Sequence, residues 1–87
     1  MDEKVENLVK WLNDQYGPEW LFTFEKLKVR YRVIHQYSNN TSVYCFVDFE
    51  GNIYKADTWN RPAKHVRGHV DNLNTYDLGK YSPRYLK

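Results

Sequence analysis

The stretch that decides the fold is Lys28-Val29-Arg30-Tyr31-Arg32-Val33-Ile34-His35-Gln36-Tyr37. Its odd positions, Val29, Tyr31, Val33, His35 and Tyr37, are mainly apolar, and its even positions, Lys28, Arg30, Arg32, Ile34 and Gln36, are mainly basic or polar. Successive side chains of a strand point to opposite faces, so this period of two predicts a strand with one face on a core and one basic face. Ser38-Asn39-Asn40-Thr41 is turn material. Ser42 to Phe49, rich in Val, Tyr, Cys and Phe, reads as a second strand, and Glu50-Gly51-Asn52 as a tight connection. Ile53-Tyr54-Lys55-Ala56 reads as a short third strand. Residues 28–56 are therefore expected to form a three-stranded antiparallel meander.

On the N-terminal side, Val5, Leu8, Val9, Leu12 and Tyr16 recur at the helical period, with Trp11 beside them. Asp2 and Glu3 suit the positive end of a helix dipole, and Gly17-Pro18 stops the element, so residues 1–17 are predicted as a helix. The segment Glu19-Trp20-Leu21-Phe22-Thr23-Phe24 fits either a short second helix or a strand. On the C-terminal side, Asn60 reads as an N-cap, Pro62 as a first-turn residue and Gly68 as a stop. Residues 61–67 are expected to be a short helix, with Trp59 capping the end of the core. Residues 72–87 form a polar tail with Tyr76, Tyr81 and Tyr85 and no period. The expected class is α+β: the N-terminal helix packed on the meander, then a short helix and an irregular Tyr-rich tail, as one small domain over residues 1–87.

The whole chain of 87 residues carries 13 basic and 11 acidic side chains. Residues 1–25 hold six acidic residues against two basic ones, so the basic excess lies in the rest of the chain. Fifteen aromatic residues (three Trp, eight Tyr, four Phe) exclude a disordered chain. No uncharged stretch approaches the ~18–20 residues of a membrane span. The opening residues have no apolar signal segment, and Cys45 is the single cysteine. An internal disulfide and a multi-cysteine zinc site are thereby excluded, and an intracellular, cytoplasmic setting is expected.

From Cys45 to Arg67 the chain contains Cys45-Phe46-Val47-Asp48, then Gly51, Tyr54-Lys55 and Trp59-x-x-Pro62-Ala63-Lys64-x-x-Arg67. This string resembles a group of small, mostly uncharacterised bacteriophage proteins. The resemblance implies a phage or phage-derived origin, with the cytoplasm of an infected bacterial host as the setting. It implies no catalytic role.

Two basic constellations stand out. On the predicted first strand Lys28, Arg30 and Arg32 point one way, and Tyr44 and Phe46 share that face if the register allows. Cations beside aromatic rings suit single-stranded nucleic acid, whereas a solvated or helix-covered face is the plain alternative. Around the predicted second helix, Arg61, Lys64 and Arg67, with His65 and His69 and with Lys55 converging on the same side, would bind phosphate or an acidic protein surface; the alternatives are a solvated helix face or pairing with the acidic helix. His65 and His69 have a metal-compatible spacing only if a helix runs through Gly68, so no metal site is assigned. Cys45 lies inside an apolar strand and reads as an inert core residue. Asp48 and Asp57 read as turn or cap residues. With no phosphate loop and no nucleophile motif, no enzyme activity and no cofactor is expected.

The functional expectation is a non-enzymatic phage accessory protein that binds a host or phage protein, or a neighbouring copy in an oligomer. Its partner-binding residues would be Lys28, Arg30, Arg32, Tyr44, Tyr54, Lys55, Arg61, Lys64 and Arg67. A nucleic-acid-binding module on the basic-aromatic face is the alternative, and a minor virion component the third.

Overall fold

A computed structural model describes residues 2–18 and 20–71 of the chain. One helix, α1 (Asp2–Tyr16), precedes five strands: β1 (Leu21–Lys26), β2 (Arg30–Tyr37), β3 (Asn40–Asp48), β4 (Asn52–Thr58) and β5 (Arg61–His69). The strands form one antiparallel sheet in the order β1-β2-β3-β4-β5, a meander with β1 and β5 at its edges. No helix among the described residues is long and apolar enough to cross a membrane.

The expected three-stranded meander and second helix are thus corrected to a five-stranded sheet with one helix. Residues 61–67 belong to strand β5. Ala63 and Val66 are their main apolar side chains, too few for a helix stripe to bury. Pairing with β4 instead supplies backbone partners, with Ile53 opposite Gly68 and Tyr54 opposite Val66. Pro62 is tolerated because β5 is an edge strand and Pro62 stands near its start. Gly68 is buried inside the strand rather than ending a helix. Trp59 caps no core; it is 45% exposed at the turn between β4 and β5. The ambiguous segment after Pro18 resolves into strand β1. The Tyr-rich tail, 72–87, lies outside the described residues.

One sheet face and α1 enclose the core. Val5, Leu8 and Leu12 are fully buried from the helix, and Val9, Trp11 and Tyr16 pack beside them. They meet Phe22 from β1, Tyr31 and Val33 from β2, Tyr44, Cys45 and Val47 from β3, and Ile53 from β4. At the far end of α1, Gly17 N–H still donates to Asn13 O (2.8 Å), and Pro18 has no N–H to continue.

Asn13 joins the helix to the free edge of β1. Its Nδ2 donates to Phe22 O (3.1 Å), and its Oδ1 accepts from Phe22 N–H (2.8 Å). The side-chain amide thus acts as a one-residue neighbouring strand and blunts an edge that would otherwise be open to other chains. Asn13→Ala leaves both backbone groups without these partners and should lower unfolding free energy by ~1–3 kcal/mol, measured by urea denaturation. Asn13→Asp should be nearly as harmful, because an ionised carboxylate keeps the acceptor and loses the donor.

His35 is 3% exposed on the core face, its ring against Trp20 (4.8 Å between centroids), Tyr44 (5.5 Å) and Phe22 (5.6 Å). Burial disfavours the imidazolium and lowers its pKa. The unfolded chain therefore binds this proton more readily than the folded one. Stability should be full above the ordinary histidine range near ~6.5 and decline as pH falls below it. Denaturation midpoints between about pH 5 and 7 should show that slope, and His35→Phe should flatten it.

Candidate functional site

The site lies on the second face of the sheet, away from α1. Register places Glu25, Arg32 and Phe46 side by side across β1, β2 and β3, with Tyr54 of β4 next to Phe46. Two residues along, on the same face, Arg30 stands opposite Asp48. Phe46 is fully buried without joining the main core. Its cover is cationic: the Arg30 and Arg32 guanidinium carbons lie 5.9 and 6.0 Å from the ring centroid, within cation–π range.

Arg32 organises this face. Its Nη1 donates to Glu25 Oε1 (2.9 Å), its Nε to Trp59 O (3.0 Å) and its Nη2 to Asn60 Oδ1 (2.9 Å). The same guanidinium carbon is 5.2 Å from the Trp59 ring centroid. β4 pairs with β3 only over Ile53–Lys55, and its pairing with β5 is interrupted by register shifts. Such irregularities bend a strand, and here the tip at Trp59–Asn60 comes over the second face to Arg32. Arg32 is 8% exposed: an internal clamp, not a solvent-facing cation.

Under this tip and beside the β1–β2 turn opens a cleft of about 340 Å³, lined by Val29, Arg30, Phe46, Asp48, Tyr54, Pro62, Ala63 and Lys64. Arg30 and Lys64 stand on strands at opposite sides of it, and neither has a carboxylate partner among the described residues. Asp48 is the acidic lining residue, and its oxygens are occupied. Oδ1 accepts from Glu50 N–H (2.9 Å) and Asn52 N–H (2.9 Å), and Oδ2 accepts from Asn52 Nδ2 (3.0 Å) and the Tyr54 hydroxyl (3.0 Å). Burial pushes the Asp48 pKa up, but the donors from Asn52, Tyr54 and Glu50 outweigh it and hold the carboxyl below its usual range. Burial and that carboxylate together raise the Tyr54 hydroxyl.

The structure brings together Arg30, Arg32, Tyr54 and Lys64 of the residues singled out in the sequence. Lys28 is exposed in the β1–β2 turn, next to the cleft residue Val29. Tyr44 is excluded from the site: at the register shift between β2 and β3 it turns into the core, edge-on to Phe22 (5.2 Å). Lys55 stands opposite Cys45, level with the core-facing row, and is exposed. Arg61 is tied to Asp57 at the hairpin tip (2.8 Å). Arg67 is 6% exposed within β5, so it offers no cation to a partner. Cys45 is fully enclosed, and burial pushes its thiol up. His69 hydrogen-bonds Glu50 O (2.9 Å) through Nε2 and accepts from Asp71 N–H (3.1 Å) at Nδ1. It is thereby fixed as a turn brace, and no group of three metal-binding side chains occurs among the described residues.

Val29, Asp48, Pro62 and Ala63 are the lining residues that sequence reading did not place in a site. Phe46 was legible as a face-sharing aromatic, but nothing local announced that the 61–69 segment would fold back beside it.

The model of a family of unknown function, DUF7717, matches residues 2–78, nearly the whole chain. The chain belongs to that family. The matched span includes every strand of the sheet and every residue lining the cleft, so the site described here is built within DUF7717 sequence rather than appended to it. No curated protein and no solved structure matches the chain.

Proposed function

We propose that this DUF7717 chain is a small non-enzymatic accessory protein of bacteriophage type, which acts in the host cytoplasm by binding a host or phage protein through the second sheet face. The observation that carries this reading is the cleft: an apolar floor flanked by Arg30 and Lys64, two cations without carboxylate partners among the described residues. Arginine beside buried aromatic surface is the usual composition of a protein-binding hot spot. Enclosure of Cys45 and saturation of Asp48 by four donors support a binding role over a catalytic one.

Nucleic-acid binding fits this face less well. Stacking requires open rings. Tyr44 is in the core, Phe46 is covered by two guanidinium groups, and the part-exposed Trp59 lies against the Arg32 guanidinium (5.2 Å). Affinity capture from host and infected-cell lysates, with and without nuclease, tests the reading. A stoichiometric protein that survives nuclease and is lost with Arg30→Glu plus Lys64→Glu is the expected result. Recovery of nucleic acid alone, lost steeply as salt rises, would replace it with the nucleic-acid reading.

A further inference from the structure

We infer that the cleft recognises an acidic residue adjacent to a bulky apolar one in a segment of a partner protein; this rests on the binding function proposed above. The division of chemistry within the cleft leads to that ligand. Its accessible apolar wall is Val29, Pro62 and Ala63, beside a Phe46 ring that Arg30 and Arg32 cover, and Val29 is 61% exposed among the described residues. A volume of about 340 Å³ is at the small end for ligand pockets, suited to a side chain or two rather than to a large cofactor.

The charges set the second requirement. Arg30 and Lys64 are available to an anion, one from β2 and one from β5. Asp48 has no vacant strong acceptor position, so it competes weakly for them. Its negative charge nevertheless stands within the lining and disfavours a polyanion laid along the cleft. A single carboxylate sets one charge against the two cations, where a polyanion would set several against Asp48. The guanidinium of Arg30 is already oriented by the Phe46 ring, which lowers the entropic cost of pairing. Phosphodiester backbone offers repeated charge and no apolar anchor, and so matches only half of the cleft.

The test is selection of short random peptides displayed against the intact chain, followed by fluorescence binding of the selected peptides. The expected pool is enriched in Asp or Glu next to Leu, Ile, Phe or Trp. Changing that acid to its amide should weaken binding about tenfold, as should Lys64→Gln or Arg30→Gln in the protein. Lys64 is exposed, so Lys64→Gln should not disturb folding, and amide NMR spectra verify this. Amide shifts on peptide addition should centre on Val29, Arg30, Ala63 and Lys64. A pool without the acidic-apolar pair, or peptides indifferent to both protein variants, overturns the inference. Tighter binding of oligothymidylate than of any selected peptide, displaced from the same residues by salt, overturns it in favour of nucleic acid. If the inference fails while a nuclease-resistant protein is still captured from lysate, the binding function stands and only this choice of ligand falls. Loss of that capture on nuclease treatment removes the binding function itself.

Discussion

Arg32→Ala is expected to lower unfolding free energy by about 3 kcal/mol and to release the β4–β5 hairpin tip from the second sheet face. The residue is central to β2 and almost wholly buried, and its guanidinium makes hydrogen bonds in three directions, to Glu25, Trp59 O and Asn60. Truncation removes those bonds and uncovers Phe46. Glu25 moderates the cost, because its side chain is 45% exposed and can be rehydrated. Glu25→Gln should therefore cost under about 1 kcal/mol. Arg32→Lys should recover little, since one ammonium cannot span the fork that reaches a carboxylate, a carbonyl and a side-chain amide at once. Denaturant titration gives the energies. The Trp59 indole N–H resonance, resolved by NMR from those of Trp11 and Trp20, gives the tip, through a selective change in an indole that now stacks on the cation. An Arg32→Ala protein of unchanged stability, with an unshifted Trp59 signal, would show that the clamp contributes nothing.

Gly51→Ala should be of similar size, about 2–4 kcal/mol, for two separable reasons. Gly51 has φ +94°, a left-handed backbone that costs an ordinary residue ~1–2 kcal/mol. A β-carbon there would also lie 2.8 Å from the His69 ring and 2.9 Å from Val70. His69 has little freedom to retreat, because its ring spans Glu50 O and Asp71 N–H. Gly51 itself donates to Asp48 O and accepts from Val70 N–H (both 3.0 Å), so strain here reaches the β3–β4 turn and the end of β5 together. For a domain of this size the melting temperature should fall by roughly 10–25 °C. Gly51→Asn separates the causes, since Asn tolerates left-handed backbone but carries the same β-carbon. If Asn is as harmful as Ala, the contact dominates; if it recovers most of the loss, the backbone does.

Local chemistry accounts for the parts of the fold that were legible. The helix stripe Val5, Leu8, Leu12 lies where its period places it, because an amphipathic stripe can be satisfied by any apolar surface. The alternation of Tyr31, Val33 and His35 against Arg30 and Arg32 likewise separates a core face from a cationic face. The same alternation was blind to the register shift beside Tyr44. One extra residue there sends an aromatic expected beside the cations into the core. The Asn60–Pro62–Gly68 pattern misled for a related reason. Cap and stop residues are also turn and edge-strand residues, and what decided between helix and strand was the unpaired side of β4, which lies just before the segment across a two-residue turn and outside the 60–68 pattern itself.

The fate of the basic residues shows the boundary most clearly. Sequence by itself determined that a small aromatic-rich domain would have one helix at its acidic end and a basic strand face behind its core. The period of the side chains requires it. Only tertiary structure decided which cations are held within the fold and which stay beside an open cleft. Arg32 and Arg67 are buried, Arg61 is held by Asp57, and Arg30 and Lys64 remain beside an open cleft. A cation's role depends on whether a partner group lies within a few ångströms, and β-pairing creates those proximities between residues that no local pattern relates.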